Sequence, residues 1–221
     1  MYVHVNAAVS VDGKLSSRRR EQVEISGEAD FDRVDRIRAA ADAVLVGVGT
    51  VLADDPHLTL DTDDRRVQRL RTGRSGNPAR VVADSRARTP PDARILDGEA
   101  TTYLLVSDRA DPDRLDALRD AGARVVRAGD ADGRVDLAAA LDELASAGVD
   151  RLLVEGGGEV IFSLFEAGLV DELTVYVGSL LVGGRDAPTL ADGEGFAEGF
   201  PELELVDVER IDDGVLLSYE R

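Results

Sequence analysis

Short apolar runs alternate along this chain with stretches whose apolar residues recur at helical spacing. Residues 2–9, YVHVNAAV, are rich in β-branched positions and predict an opening strand. Glu28 to Ala41 predicts a helix, with Phe31, Val34, Ile37 and Ala41 on one face. The unbroken run Ala43 to Gly47 predicts a strand buried on both faces. A single helical turn is expected in Gly49 to Pro56, and residues 61–78, polar and ending in turn formers, predict a long loop. Strands follow at Arg80 to Asp84, Thr102 to Ser107, Ala123 to Arg127, Arg151 to Glu155 and Glu172 to Val177. Between them helices are expected at Asp113 to Ala121, at Asp136 to Ala147 and from the glycines at 156–158 to Ala167, each stopped by a glycine. Two last strands, near 202–210 and 214–220, join through Asp212-Asp213-Gly214, a good hairpin turn.

Strands alternating with helices predict an α/β fold: a largely parallel sheet with helices on both faces, closed by a C-terminal antiparallel hairpin. Residues 1–221 carry no internal repeat, low-complexity tract or linker, so one domain is expected.

Composition narrows the chemistry. The absence of cysteine removes disulfides, thiolate catalysis and cysteine-based zinc sites. His4 and His57 stand far apart with no metal-binding spacing, so no metal is expected. No apolar run nears the length of a membrane span, and the first residues read as a strand rather than a leader, so the expected location is the cytoplasm. The net charge of −18 disfavours nucleic acid as a partner. The acidic excess is mostly aspartate, spread along the chain, and looks like the surface of proteins from salt-loving organisms. Lys14 is the only lysine among many arginines, kept within Ser10-Val11-Asp12-Gly13-Lys14.

Candidate chemistry gathers at strand ends, where ligands bind in open α/β sheets. Glu155-Gly156-Gly157-Gly158 ends one strand and opens a helix. Its glycines would let backbone N–H groups approach a pyrophosphate, although a tight strand–helix turn would need the same residues. Gly183-Gly184 forms a second glycine cluster. Asp84-Ser85-Arg86-Ala87-Arg88 ends another strand, and its arginines either hold a phosphate or are simply solvated.

Together these segments resemble the riboflavin-biosynthesis diaminopyrimidine reductases, the stand-alone archaeal and fungal enzymes and the reductase half of the bacterial bifunctional deaminase-reductase. The resemblance runs through Asn6 to Lys14, Arg38 to Ala43, Val46 to Thr59, Asp84-Ser85, Val154 to Gly158, Gly168 to Leu173, Leu180 to Gly184 and Ala187 to Leu190. It implies a dihydrofolate-reductase-like fold, a homodimer and NADPH as cofactor. It implies reduction of the ribosyl group of 2,5-diamino-6-ribosylamino-4(3H)-pyrimidinone 5′-phosphate to ribityl. It further implies cofactor contacts at Thr50, Asp54, Ser85, Glu155 and Gly156 to Gly158, which Arg86, Arg88, Gly183 and Gly184 would extend. Substrate contacts are implied at Lys14, Ser26 and Arg38, with Asn6 and Ser10 added from the opening run. One departure stands out: bacterial relatives carry an arginine just after D-D-P-x-L-T, whereas here Leu58-Thr59 leads into Leu60 and Asp61, with Arg65 and Arg66 beyond. Lys14 is the expected group for polarising the substrate or passing a proton, with Asp12 and Glu155 as acidic alternatives. Asp12 serves equally well as a turn residue before Gly13. A dihydrofolate reductase and a non-catalytic nucleotide-binding module of the same fold are the rival readings.

Overall fold

The strand that reads as an unbroken apolar run, Ala43–Gly47 (β2), is buried along its whole length, and so is Thr102–Val106 (β4). The computed structural model describes residues 1–221. Its other strands are β1 (Tyr2–Val9), β3 (Ala79–Ala83), β5 (Arg124–Arg127), β6 (Arg151–Gly156), β7 (Glu172–Val177), β8 (Glu204–Ile211) and β9 (Gly214–Glu220). They form a mixed sheet of nine strands in the order β5-β4-β3-β2-β6-β1-β7-β9-β8. The helices are α1 (Glu28–Ala40), α2 (Val48–Asp54), α3 (Asp63–Arg71), α4 (Pro112–Asp120), α5 (Leu137–Ser146) and α6 (Gly158–Glu166). No helix is long and apolar enough to cross a membrane. The chain divides into two compact units, Asp35–Leu153 with Met1, and Tyr2–Val34 with Val154–Arg221.

In the first unit β2, β3, β4 and β5 are parallel neighbours. Val44, Val46, Val82, Leu104, Leu115 and Leu118 pack into one apolar core. Each such side chain, fully removed from water, contributes about 1.5–3 kcal/mol. Arg80 is the exception, fully buried on β3. Its Nη1 donates to the Ile95 carbonyl and to Asp97, both at 2.8 Å.

The expected loop over 61–78 is in part a helix, α3. Asp63 and Asp64 lie in its first turn and Arg69 and Arg71 in its last, as the helix dipole favours. No apolar stripe announces it, because arginines anchor it. Buried Arg69 donates to the carbonyls of Ala39, Ala41 and Ser75, and Arg74 to those of Ala39 and Ala40. The carbonyls left over at the end of α1 are thus satisfied by α3 and the turn after it. Asp35, buried on α1, accepts the N–H groups of Asp61 and Thr62 and pairs with Arg65 at 2.6 Å. Burial pushes its carboxyl up, but Arg65 and these amides outweigh that and hold it below the ordinary value.

In the second unit β1 runs parallel to β7, which pairs antiparallel with β9, and β9 with β8. The expected hairpin is present, turned by Asp212 and Asp213 with Asp212 at φ +50°. That turn also caps α1: Asp212 accepts the N–H groups of Ala29 and Asp30 at 3.3 and 3.1 Å. Gly27 makes room for it, since a Cβ there would stand 2.8 Å from the Asp212 carboxyl carbon.

Candidate active site

Parallel pairing brings strand ends together within each unit. In the first unit Gly47 at the end of β2 is in register with Ala83 at the end of β3. The segments that follow are α2, with Thr50 in its first turn and Asp54 at its end, and the turn Asp84–Thr89. The Ser85 hydroxyl accepts the N–H of Val135 at 3.1 Å, which leaves its own proton free to donate. The side chains of Arg86 and Arg88 are exposed. Partial burial raises the Asp54 carboxyl. Arg38, on α1, reaches the Thr59 carbonyl at 3.4 Å, which ties it to the motif that departs from the bacterial pattern.

In the second unit Val9 at the end of β1 is in register with Val177 at the end of β7. Gly13 at φ +77° turns the chain after Ser10, and Ser10 is fully buried. The Ser10 hydroxyl donates to Asp12 at 2.6 Å and accepts the N–H of Lys14 at 2.9 Å. Asp12 accepts the N–H groups of Val182 and Gly183 at 3.0 and 2.8 Å. The Ser10 hydroxyl, followed by these amides, holds the Asp12 carboxyl down at about 2. So Asp12 and Gly183 meet, and the glycine is a loop held by a carboxylate.

Lys14 is half-buried, its ammonium 3.3 Å from the Ala187 carbonyl and its backbone bridged to Thr189. Thr189 links this strip to the glycine run: a Cβ on Gly158 would come within 2.4 Å of the Thr189 carbonyl. The Thr189 hydroxyl donates to Asp192 at 2.6 Å, and Asp192 returns its N–H to the Gly158 carbonyl at 3.1 Å. Spacing singles out neither Thr189 nor Asp192; the segment Ala187 to Leu190 is a signal for the first of them alone. The three glycines therefore differ. Gly156 adopts φ +140°, open only to glycine, Gly157 caps α6, and Gly158 clears the way for Thr189.

Two further expected substrate contacts are buried. Asn6 is buried, its side-chain oxygen accepting Arg33 and Thr174, both at 2.8 Å. Ser26 is buried just before Gly27 and the capped start of α1. His57, Asp97 and Glu99 bring ligand-type atoms within 4.8 Å of one another, but Asp97 is already paired with Arg80.

Residues 1–217 match the family model described as the RibD C-terminal domain. The chain belongs to this family. A 2,5-diamino-6-ribosylamino-4(3H)-pyrimidinone 5′-phosphate reductase of Archaeoglobus fulgidus is 46% identical over 98% of this chain and 96% of its own. A protein of the same name from Methanothermobacter thermautotrophicus is 47% identical over 89% of this chain and 86% of its own. Among solved structures, a pyrimidine reductase-like protein of Corynebacterium diphtheriae superposes with a TM-score of 0.84 at 20% identity, covering 99% of this chain and 91% of that one. That likeness supports the expected fold.

Proposed function

We infer that this chain is a reductase of riboflavin biosynthesis, acting on 2,5-diamino-6-ribosylamino-4(3H)-pyrimidinone 5′-phosphate. The observation that carries the reading is near end-to-end identity of 46% to a reductase of that name. The relatives described above support this reading rather than a dihydrofolate reductase or a non-catalytic module.

The cofactor we propose is NADPH. The donor set fits a dinucleotide with an extra phosphate: exposed guanidiniums at Arg86 and Arg88, a Ser85 hydroxyl with a spare proton, and bare backbone at Gly156 and Gly157. The residues proposed for the cofactor are Thr50, Asp54, Ser85, Arg86, Arg88, Glu155, Gly156 to Gly158, Gly183 and Gly184. When bound, the nicotinamide supplies hydride.

The proposed substrate set is Asn6, Ser10, Lys14, Ser26 and Arg38, with Arg38 taking the 5′-phosphate. Lys14 is the group proposed to stabilise charge as the sugar opens and to pass the proton. Its ammonium is oriented by the Ala187 carbonyl. Asp12 is placed to hold the Lys14 loop, and Glu155 stands at the end of β6 as the remaining acid. A homodimer is proposed through β8, the edge strand, where Leu205, Val206 and Val208 are about half exposed.

The experiment is NADPH oxidation followed optically, with and without the pyrimidine phosphate. Substrate-dependent oxidation with a ribitylamino product supports the reading. NADPH binding without turnover would favour a nucleotide-binding module, and turnover of dihydrofolate a dihydrofolate reductase.

A further inference from the structure

The turn that carries Arg86 and Arg88 is built around a carboxylate. Asp84 follows β3 directly and is fully buried. Its Oδ2 accepts both the N–H and the hydroxyl of Thr89, at 2.7 and 2.8 Å. These two bonds close the chain from 84 to 89. Inside that closure Ala87 adopts φ +54°, a left-handed conformation that its Cβ disfavours, with its side chain fully buried. The Ala87 carbonyl accepts Arg114 Nε at 2.5 Å, and the Ser85 carbonyl accepts the Ser107 hydroxyl at 2.8 Å. Turning Ala87 inward leaves its neighbours, Arg86 and Arg88, on the outside.

The other carboxylate oxygen is unsatisfied. Asp84 Oδ1 is buried and accepts no hydrogen bond. The cation facing it is Arg88, whose Nε lies 3.9 Å away, within reach of attraction but too far for a hydrogen bond. Arg88 is thus drawn toward Asp84 without being used up by it, and its side chain stays 57% exposed. A purely structural carboxylate would be expected to fill both oxygens.

We propose that Asp84 is a positioning residue for cofactor specificity: it folds the 84–89 turn and poises the Arg86–Arg88 pair for a phosphate monoester, the 2′-phosphate that separates NADPH from NADH. The proposal rests on the reading that this turn meets the cofactor. The two guanidiniums supply the charge, and Asp84 sets where they stand.

The test compares Asp84→Asn, Thr89→Val and Arg86→Ala/Arg88→Ala in steady-state kinetics with NADPH and NADH, alongside calorimetric binding of adenosine 2′,5′-bisphosphate. Asp84→Asn can keep an oxygen toward Thr89 but loses the charge facing Arg88. The expected result is a roughly tenfold rise in KM for NADPH, KM for NADH and kcat within about twofold, and a matching loss of bisphosphate affinity. Thr89→Val, which removes only the hydroxyl bond, should shift the same quantities less. Adding Asp84→Asn to Arg88→Ala should change little further. Equal losses with both cofactors, or a fall in kcat alone, would make Asp84 merely structural and overturn the proposal. If the arginine pair sets the NADPH preference and Asp84→Asn leaves it intact, the positioning role alone fails. If removing both arginines leaves the preference intact, the assignment of this turn to the cofactor fails with it.

Discussion

Asp12 holds Gly183 by its backbone, the carboxylate accepting that N–H at 2.8 Å while the Ser10 hydroxyl braces it at 2.6 Å. The arrangement needs the ionised form. The Asp12 carboxyl lies at about 2, below its ordinary 3.8, so its contribution is complete above the ordinary value and is lost as pH falls through 2. Between about pH 5 and 9 it does not titrate, and no limb of a pH–rate profile in that range belongs to it. Asp12→Asn should lower kcat/KM about tenfold or more at every pH and leave the limbs where they are. A limb that vanishes with Asp12→Asn would make Asp12 a proton-transfer group instead.

Lys14 should behave differently. Lys14→Ala and Lys14→Arg are both expected to lose at least about 99% of turnover, because the planar guanidinium does not reproduce a compact ammonium oriented by one carbonyl. NADPH affinity, followed by fluorescence titration, should change less than about twofold. Near-normal turnover in Lys14→Arg would reduce the lysine to a charge, and near-normal turnover in Lys14→Ala would move the role to Glu155.

Arg69 is the residue on which the junction of α3 with the end of α1 turns. Arg69→Ala should cost about 2–4 kcal/mol in urea unfolding, since three carbonyls lose a charged donor at once. Arg69→Lys should recover less than half, because an ammonium does not span the same carbonyls. A midpoint unchanged by either substitution would mean that other groups hold this end of α1.

These residues mark how far the sequence could be read. Apolar runs, β-branched stretches and helical periods placed the strands and most helices, because burial leaves a trace in the sequence, whereas β8, exposed over all but its last residue, was found through the Asp212-Asp213-Gly214 turn beside it. Helix α3 left none: Val67 and Leu70 are exposed, and what fixes it is arginine bonded to main-chain carbonyls, which have no letter in the sequence. The same holds for Asp12, whose partners are the amides of Val182 and Gly183. Glu155-Gly156-Gly157-Gly158 read as a single motif, but its third glycine answers to Thr189, thirty-odd residues on.

Salt should stabilise the protein. Acidic residues outnumber lysine and arginine 44 to 26, and their repulsion is screened within about 3 Å at 1 M salt. The melting temperature should rise between about 0.1 M and 1 M potassium chloride. A flat or falling curve would show that the excess charge is not limiting.

The edge strand β8 offers a test of assembly. Val208→Asp adds charge to an exposed apolar position and should turn a dimer into a monomer in light scattering while preserving the melting transition. A dimer that survives Val208→Asp would place the interface elsewhere.

The second unit is built from Tyr2–Val34 and Val154–Arg221, segments that precede and follow Asp35–Leu153 in the sequence, and this governs the order in which a growing chain can fold. Residues 35–153 are contiguous and can condense while synthesis continues. Strand β1 is made well before its parallel neighbour β7, which is complete only at residue 177, and the first turn of α1 is made before its Asp212 cap. Residues 2–34 therefore stand without these partners while the first unit is made, and a chaperone or protease meets them bare.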